Sequence, residues 1–180
     1  MSPELSLRIA VPEDAAAISA LIERSVHGLQ AGDYTRTQRD NAIGHVFLVD
    51  HGLIADRSYF VVETADGRLV GAGGWSNRKA LHGGHVHGDT GERIDPSTEP
   101  ARIRAYFVDP DFARQGVGSA ILEACEAAAR EAGFTQAVMG ATLTGVQFYA
   151  RYGYLEVGRE EAALPNGESL TVVHMARSLI

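Results

Sequence analysis

Residues 108–119 read Val108-Asp109-Pro110-Asp111-Phe112-Ala113-Arg114-Gln115-Gly116-Val117-Gly118-Ser119. Strand-forming residues precede this segment, and apolar residues at helical spacing follow it to about Ala132. Asp109-Pro110 ends the strand, and a glycine-rich turn opens the helix. Because free amides and the positive end of the helix dipole meet at such a turn, the pattern predicts an anion site suited to a diphosphate.

Two familiar phosphate-binding motifs do not fit this turn. A dinucleotide fingerprint needs a third glycine at position 121, which is Ile121. A P-loop needs Gly-Lys-Ser or Gly-Lys-Thr, and the chain has no such run. A glycine turn required only for close packing is the alternative interpretation, whereas Arg114 would add guanidinium donors to an anion site.

The composition excludes several classes of protein. Apolar residues make up 45% of the 180 residues and charged residues 22%, as in a folded globular domain. The net charge of −7 argues against broad nucleic-acid binding, which needs basic surface. Cys125 is the single cysteine, so an internal disulfide framework is excluded. The first residues lack the basic and apolar regions of a signal peptide and the sequence has no long apolar run, so we expect a cytoplasmic protein without a membrane partner.

The order of periodic segments predicts a mixed α/β fold in one domain over residues 1–180. We expect helices from near Pro12 and near Thr35, where Thr35 and Gln38 have the spacing of a capping box. Residues 43–54 are ambiguous between helix and loop, and residues 76–100 form a long Gly/His-rich loop. Strands are predicted at 5–10, 58–64, 69–75, 101–108, 136–141, 154–160 and 170–176, and further helices at 117–132 and 146–152.

A second motif gives the chain a family resemblance. Residues 142–154 read Thr142-Leu143-Thr144-Gly145-Val146-Gln147-Phe148-Tyr149-Ala150-Arg151-Tyr152-Gly153-Tyr154. This run resembles the Asn-x-x-Ala-x-x-Phe-Tyr-x-x-x-Gly-Phe block of the GNAT superfamily of N-acetyltransferases. The turn at 113–118 is similar to the same family's Gln/Arg-x-x-Gly-x-Gly/Ala pyrophosphate loop, although Ala113 stands at its first position. With the order of elements, the resemblance covers nearly the whole chain.

The resemblance implies a fold and a cofactor. The fold is a mixed, mostly antiparallel central sheet with helices on both faces, splayed between the strand at 101–108 and the strand at 136–141. Acetyl-CoA, as co-substrate, lies in that opening, and the acceptor amine attacks the thioester directly. Backbone groups of one strand hold the pantetheine arm and the following loop holds the pyrophosphate; the implied residues are Tyr106, Phe107, Val108, Arg114, Gln115, Gly116, Val117, Gly118 and Ser119.

The resemblance places Tyr149 at the general-acid position. A phenol with an ordinary pKa of about 10 remains protonated at neutral pH and can protonate a departing thiolate. A core aromatic on a short helix is the other interpretation. Cys125 lies on the apolar face of its helix, so we expect it to pack in the core rather than act as a nucleophile.

The proton acceptor is not assigned by the sequence. Glu99 and Glu63 are the nearest acids along the chain, and a water relay fits equally well. Alternation on the strand predicts Arg102, Arg104 and Tyr106 on one face. The two arginines are candidates for binding an acceptor carboxylate, and cross-strand pairing with Glu63 or another acid is the alternative.

The leading hypothesis is an N-acetyltransferase acting on a primary amine of a small molecule or peptide. A non-catalytic acyl-CoA-binding or sensor domain on the same fold is the alternative, and a structural module is a third. His82, His85 and His87 are a weak pointer to metal, and no metal is expected. The resemblance is compatible with a homodimer and does not assign the oligomeric state.

Overall fold

A computed structural model of the chain describes residues 4–79 and 91–180. Five described helices are α1 (Ala15–Leu29), α2 (Arg36–Ala42), α3 (His51–Ala55), α4 (Val117–Glu131) and α5 (Val146–Arg151). The described strands are β1 (Leu5–Ile9), β2 (Tyr59–Thr64), β3 (Leu69–Ser76), β4 (Ala101–Val108), β5 (Gln136–Thr142), β6 (Leu155–Ala163) and β7 (Ser169–Ser178). Two single turns of 3-10 helix, Pro12–Asp14 and Pro110–Phe112, precede α1 and α4.

The described strands form one sheet in the order β1-β2-β3-β4-β5-β7-β6. Neighbouring strands are antiparallel except for β4 and β5, which are parallel. These two pair over Ala101–Ile103 and Ala137–Met139 alone, and the remainder of each strand pairs with its other neighbour. The sheet therefore opens between the carboxyl-terminal halves of β4 and β5, which confirms the predicted splay.

Helices cover both faces of the sheet. Apolar residues of α1, together with Tyr34 and Phe47, pack in one buried cluster against β2, β3 and Phe107. The apolar side of α4 packs in a second cluster with β4, β5 and Tyr149. Burial of these two stripes supplies the main driving force for the layered arrangement. The predicted mixed α/β architecture is confirmed.

A β-bulge in β4 overturns one predicted strand face. Gly74 and Ala72 of β3 lie opposite Arg104 and Phe107, so an extra residue enters β4 between those two positions. Ala105 absorbs it with a positive φ of 55°. Beyond the bulge the alternation is shifted, and Tyr106 joins Ile103 in the α4-side cluster. The prediction that Arg102, Arg104 and Tyr106 share a face was therefore wrong.

Local signals set most element boundaries. Thr35 Oγ1 accepts the Gln38 N–H, and Gln38 Oε1 accepts the Thr35 N–H, which confirms the capping box at α2. The ambiguous segment at 43–54 contributes a loop and the start of α3. No described helix has the length and apolar character needed to cross a membrane. His82, His85 and His87 lie outside the described residues.

Candidate active site

A cleft of about 900 Å³ occupies the opening between β4 and β5. One wall is formed by β4 and the start of α4, and the opposite wall by the end of β5 and α5. The end of α1 and residues 46–51 close a third side. Because β4 and β5 are parallel, both loops that follow them meet at this edge of the sheet, as is usual for ligand sites in α/β folds.

The start of α4 presents unpaired backbone donors to the cleft. Gly116 caps the helix with a positive φ of 84° and provides no side-chain cap. Arg114 also adopts a positive φ, of 61°, an uncommon conformation for a residue with a side chain. Among described residues, the N–H groups of Val117, Gly118 and Ser119 have no backbone acceptor. This geometry fits the predicted anion site.

Asp109 holds the turn between β4 and α4 in place. Its buried carboxylate accepts hydrogen bonds from Arg24 at 2.9 Å, from Arg68 at 2.8 Å and from the Asp111 N–H at 3.0 Å. Burial alone would raise the pKa of this carboxyl, but the hydrogen bonds from Arg68, Asp111 and Arg24 outweigh burial and lower that pKa. Asp109 therefore fixes the turn between β4 and α4 as an ionised group.

Four of the six implied loop residues line the cleft, namely Arg114, Gly116, Gly118 and Ser119. The Gln115 side chain turns back and donates to the Asp111 carbonyl at 2.9 Å. Val117 is buried in the core of the α4-side layer. These last two residues can offer backbone groups to a ligand, while their side chains serve the loop and the core.

The three implied residues of β4 also line the cleft. The Asp109 N–H donates to Val70 of β3, so the preceding N–H, on Val108, faces the other way and lies 3.3 Å from Ser25 Oγ. Tyr106 donates its hydroxyl to the Gly118 carbonyl, which ties the strand to the first turn of α4. The Phe107 ring packs edge-to-face on Phe47 at 6.0 Å.

Tyr149 differs from the other tyrosines in its hydroxyl. The remaining five phenols donate to protein acceptors: Tyr34 to Thr171 O, Tyr59 to Ala105 O, Tyr106 to Gly118 O, Tyr152 to Ser119 Oγ and Tyr154 to Glu126 Oε1. The Tyr149 hydroxyl makes no hydrogen bond within residues 4–79 and 91–180, yet Tyr149 lines the cleft. Its phenolic proton is the one left available to a ligand.

The surroundings of Tyr149 keep its hydroxyl protonated. The ring is buried against Tyr106 at 5.7 Å, Phe148 at 5.1 Å and Tyr154 at 6.0 Å between ring centres. Burial, with a smaller effect of Cys125, raises the pKa of Tyr149 far above its usual range. A phenol in this environment can donate a proton but does not lose it spontaneously at neutral pH.

The two candidate arginines have different environments. Arg104 is almost fully buried and forms an ion pair with Asp50, with 2.9 Å between Nε and Oδ2. Arg102 contacts the carbonyls of Lys79 and Pro100 and the carboxylate of Glu99, and is not among the residues lining the cleft. Both arginines therefore pair with an acid, Arg104 with Asp50 before α3 and Arg102 with the nearby Glu99, but neither is the cross-strand pair that the sequence suggested.

Neither acid considered for proton transfer reaches the cleft. Glu63 accepts from Arg8 at 2.9 Å on the β1–β2 side of the sheet, and Glu99 contacts Arg102 at 3.5 Å. The cleft is lined instead by Gln30, Asp50 and His51, which the sequence reasoning missed. Residues 43–54 carry no clear period, so only the fold brings His51 to the site.

Cys125 is fully buried in α4 and does not line the cleft. Burial, with a contribution from Glu126, raises the pKa of its thiol. The core position expected from the helical pattern is confirmed. Within the described ranges, no group of three or more His, Cys, Asp or Glu side chains is placed to hold a metal ion.

A sheet opened around a cleft, with amide donors on one lip and a protonated phenol on the other, places the chain among the acyltransferases. The sequence matches the model of the acetyltransferase (GNAT) domain over residues 47–178, and the chain therefore belongs to the GNAT family. Among curated proteins, none matches the chain significantly.

Solved structures with the same fold cover almost the whole chain. A GCN5-related N-acetyltransferase from Rhodopseudomonas palustris is 25% identical, with a TM-score of 0.71 over 99% of this chain and 98% of that chain. The protein yncA from Salmonella typhimurium, solved with its cofactor acetyl-CoA, is 16% identical, with a TM-score of 0.65 over 98% and 95%. A paia N-acetyltransferase from Thermoplasma acidophilum, solved with coenzyme A, is 14% identical, with a TM-score of 0.64 over 97% and 99%.

Proposed function

We propose that this protein is an N-acetyltransferase that moves the acetyl group of acetyl-CoA to a primary amine in a ternary complex. The observation that carries the proposal is the free Tyr149 hydroxyl, which lines the cleft between the diverging strands. The solved neighbours with acetyl-CoA and coenzyme A support this choice of co-substrate.

The residues of the cleft fit the parts of acetyl-CoA. The open amides at the start of α4 suit its diphosphate, and Arg114 adds a positive charge at the same lip. Exposed backbone edges of β4 suit the amides of the pantetheine arm. Bound acetyl-CoA supplies a thioester whose carbonyl carbon is the electrophile.

Tyr149 serves as the general acid in this scheme. As the amine nitrogen bonds to the carbonyl carbon and the C–S bond breaks, the phenol donates its proton to the sulfur. The nitrogen must also release a proton. His51 is the single imidazole among the described lining residues, and imidazole is a common proton acceptor in catalysis, so we assign it this part.

Release of free CoA thiol in the presence of acetyl-CoA and a panel of primary amines tests the proposal. Amine-dependent turnover, with the acetylated amine identified by mass spectrometry, is the expected result. Acetyl-CoA that raises the melting temperature without turnover for any amine would instead indicate the sensor domain. Absence of both effects would refute an acetyl-CoA site.

A further inference from the structure

Gln30 carries an unused hydrogen-bond acceptor in the wall of the cleft. The residue caps the carboxyl end of α1, is 6% exposed and lines the cleft. Its Oε1 is buried and has no hydrogen-bond donor among the described residues. A buried acceptor without a partner costs about 1–3 kcal/mol, so a group of this kind at a binding site calls for a ligand donor.

The backbone holds Gln30 firmly in this place. Its N–H donates to the Val26 carbonyl at 3.2 Å, and its own carbonyl accepts from Asp33 at 3.1 Å and from Tyr34 at 3.0 Å. Tyr34 is fixed in turn, because its hydroxyl bonds to the backbone of Leu143 and Thr171. Gln30 therefore lies on a rigid segment, which favours recognition of one defined group of a ligand.

Charge around the cleft limits what that group can be. Asp50 is the single carboxylate among the described lining residues, and it is already paired with Arg104. A cationic group placed against Gln30 would lose its water without gaining a free counter-charge, which is costly. A carboxylate has no N–H to donate and would leave the Gln30 acceptor unsatisfied. A neutral N–H donor satisfies the site without either penalty.

The remaining surface on this side of the cleft is apolar. Leu29, Val46, Phe47 and Val172 line the cleft with Gln30. Three of them, Val46, Phe47 and Val172, belong to the buried cluster under α1. A compact organic group fits beside the carboxamide here, as in most small-molecule sites with a few polar groups on an apolar lining.

We propose that the acceptor is a primary amine with a neutral amide N–H close to its amino group, as in an aminoacyl amide or a short peptide. Gln30 Oε1 accepts that N–H and thereby selects the acceptor. This inference rests on the proposed acetyl transfer and adds the substrate class to it. It separates the acceptor from polyamines and from amino acids with a free carboxylate.

The test compares three amines with the unmodified protein and two variants. L-Alaninamide carries the amide, isopropylamine lacks it, and putrescine carries a second ammonium group. Gln30→Met keeps the approximate volume and removes the acceptor oxygen. Gln136→Met, at an exposed position of β5 that does not line the cleft, is the matched control.

For Gln30→Met we expect kcat/KM for L-alaninamide to fall about tenfold or more, the consequence of one lost hydrogen bond in a buried site. The value for isopropylamine should change little, and the Kd of acetyl-CoA should stay the same. Comparing each variant with the unmodified protein, amine by amine, removes differences in amine basicity. Gln136→Met should alter none of these values.

Gln30→Glu tests the charge argument by a gain of activity toward a diamine. The added carboxylate has no partner, so kcat/KM for putrescine should rise relative to L-alaninamide. An equal loss for all amines in Gln30→Met, or no loss for L-alaninamide, would overturn the assignment. Turnover of simple amines with no use of L-alaninamide would also overturn it while acetyl transfer stands. Failure to bind acetyl-CoA would refute the proposed function itself.

Discussion

The phenolic oxygen of Tyr34 accepts the backbone N–H of Leu143 at 2.8 Å, across 109 positions of the chain. The same hydroxyl donates to the carbonyl of Thr171 at 2.7 Å. One side chain after α1 thereby fixes both the β5–α5 turn and β7. Because that turn leads into the helix that carries Tyr149, Tyr34 acts on the site as a positioning residue.

Tyr34→Phe should destabilise the protein and lower turnover together. Removing the hydroxyl leaves one partly buried donor and one partly buried acceptor without partners, so we expect a loss of about 2 kcal/mol in the free energy of unfolding. Denaturant titration measures this loss. Turnover should fall more than acetyl-CoA affinity, and Leu155→Ala, at an exposed site, should change neither. Unchanged unfolding would contradict the bridging role.

Tyr149→Phe should separate catalysis from binding. The ring and its packing remain, so unfolding and the Kd of acetyl-CoA should change little, whereas kcat should fall about 10²-fold or more. Tyr152→Phe is the comparison variant, because its hydroxyl is already engaged with Ser119. Near-normal turnover in Tyr149→Phe would show that another group protonates the sulfur.

The pH profile gives an independent check on Tyr149. Burial raises the folded-state pKa of this phenol above the ordinary value of about 10. The acid therefore stays protonated in the native protein, and we expect no loss of kcat from its ionisation between pH 8 and about 10. The free energy of unfolding should decline above about pH 10, because the unfolded chain then releases a proton that the native protein retains.

The start of α4 should be sensitive to added bulk. A Cβ at Gly118 would lie 3.2 Å from Phe148 Cζ, so Gly118→Val crowds the cleft where the amides are open. We expect the Kd of acetyl-CoA to rise about 100-fold, against about tenfold for Arg114→Ala, which leaves the amides in place. Isothermal titration measures both. Gly158→Val, where a Cβ meets nothing within 4 Å, is the matched control.

The Asp50–Arg104 ion pair should matter for folding rather than for binding an anionic acceptor. Asp50→Asn retains an oxygen for the Leu53 N–H at the start of α3 but removes the carboxylate charge that pairs with the buried Arg104 guanidinium. We expect a loss of about 3 kcal/mol in the free energy of unfolding. The double variant Asp50→Leu with Arg104→Met should recover part of that loss. Equal losses in the single and double variants would contradict this account.

His51→Gln should test the assigned proton acceptor. The substitution removes the imidazole from the cleft while Asp50 still begins α3, so kcat should fall about 10²-fold with little change in stability. Glu99→Gln and Glu63→Gln serve as comparisons, because neither acid lines the cleft. Loss of turnover confined to a glutamate variant would move the role away from His51.

The sequence itself indicated the glycine-rich turn before α4, the capping box at α2 and the short helix that carries Tyr149. Those features depend on residues close together in the chain: Gly116 must adopt a positive φ, and Thr35 reaches Gln38 within one turn. Alternation also predicted the strands, and the mostly antiparallel sheet, splayed between the strands at 101–108 and 136–141, followed from the family resemblance. Local chemistry and motif spacing were sufficient at these positions.

Tertiary structure alone decided which side chains line the cleft and which hydrogen-bond partners they have. The bulge at Ala105 moves Tyr106 to the α4 side, and no local pattern announces an extra residue in a strand. Arg104 finds Asp50, and Gln30 is left without a donor, through contacts between segments far apart in sequence. Packing in three dimensions determines the hydrogen-bond partners of buried polar groups, so the periodicity of one segment does not predict them.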